Sequence, residues 1–310
     1  MIRAFINGNN GTTGLRIVER LRERDDVELL TLPDEARKDV TAQAELGARA
    51  DVTFLGLPDD ASRALIETLG DANGRVLDTS TAFRTDARFA YGFPELSLAH
   101  ASAVAAANRV AVPGCHASGC IALLYPLLRE GIFAPNAPFS LTSLTGYTGG
   151  GKKMIAEYEA PDRDAALDSP CPYAVGQAHK HLPEIVSVCG LTEPPIFQPI
   201  VADYPCGMLV SLPIHPRLTC KPVTLNTLTA LYRERYADQP LMTVLDPNPE
   251  PRVAANAMSG RDSMQVFLTG SDERMIACAR FDNLGKGASG AAIECMNLMF
   301  GLPPTQGLTR

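Results

Sequence analysis

A cysteine directly after Pro-Gly is the first residue of this chain that suggests chemistry, in the segment Val112-Pro113-Gly114-Cys115-His116. Residues 109–112 before it are typical of a short strand, and residues 121–128 after it are typical of a buried helix. This pattern predicts Cys115 in the turn at a helix N-terminus. Free main-chain N–H groups and the helix macrodipole favour a thiolate there, which is the nucleophilic form. The position favours covalent catalysis, with a small buried structural cysteine as the alternative.

A glycine-rich turn, residues 8–14 (Gly-Asn-Asn-Gly-Thr-Thr-Gly), follows the first predicted strand and opens the first predicted helix. Glycines at such a junction let the main chain approach a pyrophosphate, and the helix N-terminus supplies N–H donors. The spacing is G-x-x-G-x-x-G rather than the commoner G-x-G-x-x-G. The residues predicted to bind a dinucleotide here are Gly8, Asn10, Gly11, Thr12, Thr13 and Gly14.

The segment after the second predicted strand, residues 31–38, leaves the type of dinucleotide open. Asp34 or Glu35 suits a ribose hydroxyl of NAD, whereas Arg37 and Lys38 suit the 2′-phosphate of NADP. A solvated charged loop is the alternative for each of these residues.

Two further segments suit anions. Residues 78–84 (Asp-Thr-Ser-Thr-Ala-Phe-Arg) end a predicted strand and could form an anion site. Ser80 is a candidate cofactor contact and Arg84 a candidate substrate contact that holds phosphate or carboxylate, with a helix cap and a surface arginine as the alternative. Residues 146–153 (Gly-Tyr-Thr-Gly-Gly-Gly-Lys-Lys) predict a flexible glycine loop that lacks the Walker A spacing. Gly149 and Lys152 are its candidate ligand contacts.

Two of the five histidines, His179 and His181, lie two residues apart, which predicts one shared face of an extended segment. Histidine is the usual proton donor and acceptor near neutral pH, and Glu184 is placed to orient an imidazole. A metal site is the competing interpretation, but no cysteine or third histidine lies near in the sequence, and we predict no metal. A polar loop with two histidines is the remaining alternative.

The elements that position these residues fall into two groups. Strands and helices alternate over the first third, with strands at 2–6, 27–32, 51–57 and 75–78 and helices at 15–24 and 59–69, the latter capped by Asp59 and Asp60. This alternation predicts an α/β, Rossmann-like, doubly wound parallel sheet. Longer strand-like runs beyond residue 139 predict an α+β domain with a mixed sheet. We predict boundaries at 1–113, 114–282 and 283–310, with the last segment forming a helix that returns to the first domain.

Composition limits the possible partners. The 310 residues carry a formal net charge of -7, which argues against a nucleic-acid or anionic membrane surface. The eight cysteines are scattered without zinc spacing, and no signal peptide or membrane-length apolar run is evident. We therefore expect a cytoplasmic protein with reduced thiols.

Taken in order, several segments resemble the short type of N-acetyl-γ-glutamyl-phosphate reductase, an acyl-phosphate reductase family of arginine biosynthesis. The resemblance covers almost the whole chain, and its specificity comes from the joint order of the segments. Besides those above, they are Tyr91-Gly92-Phe93-Pro94-Glu95 and Asn283-Leu284-Gly285-Lys286-Gly287-Ala288.

The resemblance implies NADP(H) as the cofactor and Cys115 as the nucleophile that forms a thioester and expels phosphate. The chemistry then needs an acid–base group, for which His179 is the first candidate with His181 and Glu184 as neighbours, and the sequence leaves open which histidine acts. The resemblance also implies that Gly285, Lys286 and Gly287 lie near the nicotinamide. It also implies a homodimer or homotetramer. Arg84, Lys152 and Arg217 stay open as holders of the phosphate or the substrate carboxylate.

One departure concerns the residue after the cysteine, where the family usually has an aromatic residue and this chain has His116. His116 either lowers the pKa of Cys115 when protonated or replaces a tyrosine in packing. The alternatives to this function are a related reductase of aminoadipyl or aspartyl phosphate, a non-catalytic NADP-binding redox sensor, and a cysteine hydrolase that uses Cys115 and His179.

Overall fold

The computed structural model describes residues 1–70 and 74–310, which form two compact units. The first unit comprises Met1–Pro94, Leu98–Gly114 and Ala288–Leu308. The second comprises Glu95–Ser97, Cys115–Gly287 and Thr309–Arg310.

A parallel sheet forms the centre of the first unit, with strand order β2-β1-β3-β4-β6-β5. Its strands are β1 (Ile2–Asn7), β2 (Val27–Leu30), β3 (Val52–Leu55), β4 (Arg75–Asp78), β5 (Ala90–Tyr91) and β6 (Arg109–Ala111). Its first helices are α1 (Thr12–Arg22), α2 (Val40–Arg49), α3 (Asp59–Leu69) and α4 (Leu98–Ala106).

Both faces of this parallel sheet are covered, because alternate residues of each strand point to opposite sides. Phe54 of β3 lies in a core cluster with Ile17 of α1, whereas Leu55 lies in a second cluster with Leu65 of α3. This arrangement confirms the predicted doubly wound sheet. Its strand order changes direction at β1, which places the turn after β1 at a topological switch point.

A mixed sheet forms the centre of the second unit, with strand order β11-β12-β13-β10-β7-β9-β8. Its strands are β7 (Ser140–Gly146), β8 (Cys171–Pro172), β9 (Ile196–Ala202), β10 (Met208–Ile214), β11 (Met242–Val244), β12 (Met264–Ser271) and β13 (Arg274–Phe281). Its helices are α5 (Cys115–Arg129), α6 (Gly151–Glu159), α7 (Leu182–Cys189) and α8 (Leu225–Tyr236). The pairs β11–β12 and β7–β9 are parallel and the other pairs are antiparallel, which confirms the predicted mixed sheet.

Helix α5 packs on β10 and β13 with almost no side chain between them at Gly119. A Cβ built on Gly119 would lie 2.4 Å from Cγ2 of Val210 and 2.8 Å from the ring of Phe281. The missing side chain therefore sets the depth of α5 against the sheet, and with it the position of Cys115 one turn earlier.

The last helix, α9 (Gly290–Met299), continues from a π-helical turn at Gly285–Ser289 and lies in the first unit. Its residues Ala292, Ile293 and Met296 are fully buried in the cluster that includes Ile17. This position confirms the predicted return of the C-terminal helix.

Several local expectations were wrong. The helices α2, α4, α6 and α7 were not predicted, and Asp59 does not cap α3 through its side chain: Pro58 is the N-cap, and the Asp59 carboxylate accepts the main-chain N–H of Thr81 at 3.0 Å. Among the described residues, no helix is long and apolar enough to cross a membrane.

Candidate active site

The glycine-rich turn after β1 fits a phosphate site. Gly8 has φ +87°, and a Cβ there would lie 2.2 Å from the carbonyl oxygen of Gly56, while one on Gly14 would lie 2.3 Å from that of Gly8. Gly11 is the N-cap of α1, and no side chain caps that helix. The turn therefore presents bare main chain at a helix N-terminus, which is the arrangement that phosphate groups require.

A cavity of about 570 Å³ adjoins this turn at the switch point between β1 and β3, large enough for part of a dinucleotide. Its polar lining includes Asn7, Asn10, Arg37 and Lys38, but neither Asp34 nor Glu35. Asn7 is only 3% exposed, and its Nδ2 has no hydrogen-bond partner. This amide therefore has an unused donor beside the cavity.

Arg37 contacts the turn directly. When the Asn10 amide is oriented with its oxygen towards the guanidinium, that oxygen accepts a hydrogen bond from Nη2 of Arg37 at 3.1 Å. The Arg37–Asp34 ion pair is exposed and measures 3.4 Å, so it holds the guanidinium only weakly. The cavity thus has a positive rim.

The residues after β4 form hydrogen bonds within the first unit. Nε of Arg84 donates to the carbonyl oxygen of Val112 at 3.0 Å, and Nη2 donates to that of Thr79 at 2.9 Å. Ser80 donates to Asp78 at 2.7 Å and accepts the N–H of Ala82 at 3.1 Å. These bonds occupy Nε and Nη2 of Arg84, and its contact with a phosphate or carboxylate stays a prediction.

In the second unit, Cys115 is the first residue of the 15-residue helix α5, as the sequence predicts. It is partly buried, and a Cβ built on Gly287 would lie 3.0 Å from Cβ of Cys115. The main chain at Gly287 therefore lies against the cysteine, where a larger residue would crowd it. The helix N-terminus favours the thiolate form.

Three histidines cluster beside this helix start. The ring centres of His179 and His181 are 4.7 Å apart, and His116 lies 5.2 Å from His179 and 5.7 Å from His181. The expected extended segment was wrong: His181 has φ −90° and ψ −10° as the N-cap of α7, so a turn brings the two rings together. Within the described ranges, no three His, Cys, Asp or Glu residues are placed to hold a metal ion.

Burial favours the neutral form of His116. The side chain is 2% exposed, and burial, followed by the charges of His179 and Lys180, lowers its pKa to about 3. Its Nδ1 lies 2.6 Å from the Ser143 hydroxyl and its Nε2 lies 2.6 Å from the Tyr173 hydroxyl. Burial therefore disfavours a protonated His116 near neutral pH, and its replacement of a tyrosine in packing stays a prediction.

The tautomer of His179 follows from its hydrogen bond. Its Nδ1 accepts the main-chain N–H of His181 at 3.2 Å, so a neutral ring carries its proton on Nε2. Burial, and then the charge of Lys180, lowers the pKa of His179 to about 4. Glu184 is 2% exposed in the first turn of α7, and its role in orienting an imidazole stays a prediction.

The segment after β13 is ordered by hydrogen bonds from its main-chain N–H groups to the Asp282 side chain. Asp282 accepts the N–H groups of Leu284 at 2.7 Å and Gly285 at 3.1 Å. The ammonium of Lys286 pairs with the carboxylate of Glu95, and both side chains are almost fully buried. This ion pair holds the Lys286 ammonium within the unit, and the predicted contact of residues 285–287 with a cofactor stays a prediction.

The predicted flexible loop at 146–153 is folded. It forms a 3₁₀ turn, Tyr147–Gly150, and the start of α6, and the N–H groups of Tyr147 and Thr148 donate to the carbonyl oxygens of residues 204 and 205. Gly149 lies in the turn and Lys152 is exposed on α6. Their contacts with substrate stay predictions.

Sequence reasoning missed the polar partners of His116. Ser143 lies on β7 and Tyr173 follows β8. They are 27 and 57 residues from His116 in the sequence. Nothing in the local pattern identifies either residue, because only the pairing of the strands brings them together.

The comparisons with known proteins agree with the two units. Residues 3–104 match the family "Semialdehyde dehydrogenase, NAD binding domain", and residues 115–283 match "Semialdehyde dehydrogenase, dimerisation domain". Solved structures share the fold: aspartate semialdehyde dehydrogenase II from Vibrio cholerae has a TM-score of 0.74 at 14% identity, covering 97% of this chain and 98% of that one. The enzyme from Francisella tularensis has a TM-score of 0.73 at 12% identity, covering 97% and 100%.

The fold and these matches define the class as semialdehyde dehydrogenases, which are oxidoreductases with a nicotinamide cofactor and an oligomerisation domain. Relatives named N-acetyl-gamma-glutamyl-phosphate reductase are 40% identical in Rhizobium etli, covering 96% of this chain and 98% of the relative, and 40% identical in Brucella ovis, covering 96% and 99%. A relative from Nostoc named N-acetyl-gamma-glutamyl-phosphate reductase 2 is 37% identical and covers 99% of each chain. The chain belongs to the N-acetyl-gamma-glutamyl-phosphate reductase family.

Proposed function

We propose that this chain reduces N-acetyl-γ-glutamyl phosphate to N-acetylglutamate 5-semialdehyde and phosphate with NADPH, as a step of arginine biosynthesis. The observation that carries the proposal is Cys115 at the start of α5, with the main chain of Gly287 against it and a histidine cluster beside it. The names of relatives at 37–40% identity supply the substrate.

Cys115 acts as the nucleophile. Its thiolate attacks the acyl carbon, a carbon–sulfur bond forms, and the bond from that carbon to the phosphate oxygen breaks, so phosphate leaves with the electron pair. The N-terminus of α5 favours the thiolate before attack. A thioester accepts hydride more readily than a carboxylate does, which is the reason for a thiol in this position.

His179 stabilises the oxygen on which negative charge develops. Its Nδ1 is occupied by the N–H of His181, so its Nε2–H is the donor that can face an oxyanion. Because burial lowers the pKa of His179 to about 4, the ring donates this bond as a neutral imidazole near pH 7. A second tetrahedral species forms when the thioester carbon has been reduced; its collapse breaks the carbon–sulfur bond, releases the aldehyde and restores the Cys115 thiolate.

The nicotinamide, when bound, supplies the hydride that reduces the thioester carbon. Arg37 and Lys38 favour NADP over NAD, because they line the cavity beside the glycine-rich turn and Asp34 and Glu35 do not. Two cations suit a 2′-phosphate, and a fork-shaped guanidinium suits it best.

The coenzyme preference is tested with Arg37→Ala. Loss of a charge-assisted hydrogen bond should raise the KM for NADPH about tenfold or more and leave the KM for NADH unchanged. The matched control is Arg49→Ala, which removes an exposed arginine from the end of the neighbouring helix α2. Equal effects on both coenzymes would refute the assignment.

The reaction is tested in reverse, as reduction of NADP by N-acetylglutamate 5-semialdehyde with and without phosphate or arsenate. We expect phosphate-dependent reduction that Cys115→Ser abolishes and that Cys220→Ser, at an exposed thiol, leaves intact. Phosphate-independent turnover, or an active Cys115→Ser variant, would refute the mechanism. Faster turnover of aspartate 4-semialdehyde or the aminoadipate analogue would reassign the substrate, and coenzyme binding without turnover would favour a redox sensor.

A homodimer or homotetramer is the proposed assembly, supported by the match of the second unit to a dimerisation domain. Ile196 on β9 is 65% exposed and Ile276 on β13 is 39% exposed, so the mixed sheet presents apolar side chains to its surroundings. Light scattering on the purified chain decides between the two assemblies.

A further inference from the structure

The polar bridge centred on His116 plays no part in the chemistry above. Its Nδ1 lies 2.6 Å from Oγ of Ser143 and its Nε2 lies 2.6 Å from the Tyr173 hydroxyl. His116 is 2% exposed and Ser143 is fully buried. Because both ring nitrogens are occupied, His116 cannot serve a substrate or a metal directly.

The direction of these bonds follows from acidity. A phenol is far more acidic than a serine hydroxyl, so the Tyr173 hydroxyl donates to Nε2 of His116 and the Nδ1–H donates to Ser143. This arrangement satisfies every polar atom of a neutral ring, which a buried imidazole requires.

The bridge also contacts the candidate catalytic groups. The rings of His116 and His179 pack nearly perpendicular with centres 5.2 Å apart, and the ring of Tyr173 lies 5.8 Å from that of His179. Burial, together with the nearby charge of Cys115, raises the pKa of Tyr173, so its hydroxyl keeps its proton. His116 therefore contacts His179 and is the residue that follows Cys115 in α5.

We propose that His116 is a positioning residue that, as an uncharged bridge between Ser143 and Tyr173, fixes the orientation of His179 beside Cys115. The inference rests on the proposed function in taking Cys115 as the nucleophile and His179 as the donor. It assigns a task to the residue at which this chain departs from its family, and it gives Tyr173 a task in the same site.

The surroundings keep the bridge neutral. The titratable and charged groups that face it are Cys115 on its own helix, Tyr173 after β8, and His179, Lys180 and His181 in the turn before α7. Burial acts first, and the positive charges of His179 and Lys180 add to it, so that the pKa of His116 lies at about 3.

Two conservative variants separate the bonds of the bridge. Glutamine places an amide near the position of Nε2 and keeps an acceptor for Tyr173, whereas asparagine reaches only the position of Nδ1. We expect His116→Asn to lower kcat about tenfold or more and to leave the KM for the acyl phosphate within about twofold, and His116→Gln to retain most of the rate. Tyr173→Phe should match His116→Asn, because both lose the same bond.

The double variant His116→Asn/Tyr173→Phe should be no slower than either single variant, since residues that share one bond are not additive. Iodoacetamide alkylation of Cys115 against pH gives a second readout. Its midpoint should move by less than about 0.3 in His116→Asn, because a neutral ring contributes no charge.

Three results would overturn the bridge: an unchanged kcat in His116→Asn, fully additive losses in the double variant, or an alkylation midpoint that moves by about one pH unit or more. A wild-type chain without turnover would instead end the proposed function. The alkylation profile and the same double-mutant cycle in unfolding free energy would then still decide whether the bridge exists.

Discussion

Mild acid should destabilise this protein through two buried histidines. Burial lowers the pKa of His116 to about 3 and, with the charge of Lys180, that of His179 to about 4, from an ordinary value of 6.5. The unfolded chain takes up a proton on each ring as pH falls through 6.5, while the folded chain does not until far lower pH. The stability is therefore complete above that value and is lost as pH falls.

Each histidine then costs the fold about 1.4 kcal/mol for every pH unit below its unfolded pKa. At about pH 5 this is about 2 kcal/mol per ring, and about 4 kcal/mol for the two together, relative to about pH 8. Carboxylates with a lowered pKa, such as Asp51, contribute little in this window because the unfolded reference for Asp lies at 3.8, whereas burial raises the pKa of Asp78, which opposes the loss as pH falls.

Urea unfolding followed by circular dichroism, at about pH 8 and about pH 5, measures this difference. The variant His116→Gln removes one of the two titrating rings, so the loss between the two pH values should fall to about 2 kcal/mol, whatever the variant does to stability at about pH 8. An equal loss in wild type and variant would refute the reasoning, since it would mean that His116 is already charged in the folded state or is exposed.

Two glycine substitutions test the geometry that holds each candidate site. Gly119→Ala would place a Cβ 2.4 Å from Val210, about 1 Å closer than carbon atoms tolerate, so we expect a loss of about 1–3 kcal/mol in urea unfolding and a lower kcat as the start of α5 shifts. Gly176→Ala, where a Cβ meets nothing within 4 Å, should change neither, and equal effects would contradict the packing argument. Gly14→Ala would bring a Cβ within 2.3 Å of a main-chain oxygen and should weaken NADPH binding in a fluorescence titration far more than Gly11→Ala, where the gap is 3.3 Å. Equal affinities in the two variants would show that the turn does not hold the coenzyme.

The sequence predicted those features that depend on neighbours in the chain. Strand–helix alternation gave the parallel sheet and the turn after β1, and the two apolar stretches around Cys115 gave its place at the start of α5. These signals are local, because the periodicity of apolar residues and the glycines of a turn can be recognised within a few residues of sequence.

Features that depend on strand register could not be predicted in this way. Tyr173 reaches His116 because β8 pairs with β9, which is anchored by a hydrogen bond from the Tyr173 N–H to the carbonyl oxygen of Pro199 at 3.0 Å. Glycines at 146–151 resemble a flexible loop in sequence, yet main-chain bonds to residues 204 and 205 fold them into a turn and a helix. Composition alone does not distinguish a flexible glycine-rich segment from one that is ordered by main-chain hydrogen bonds to a distant part of the chain.

The neutral histidines indicate which groups stabilise the thiolate and which stabilise the transition-state oxygen in the proposed reaction. If both His116 and His179 are uncharged near pH 7, neither can stabilise the Cys115 thiolate as an imidazolium. That task falls to the N-terminus of α5, whose field does not titrate. A neutral Nε2–H on His179 is then free to serve the oxygen that gains charge in the transition state, where a fixed dipole acts without competing for the thiolate. The separation explains why the depth of α5 at Gly119 and the orientation of His179 through His116 should each affect kcat independently.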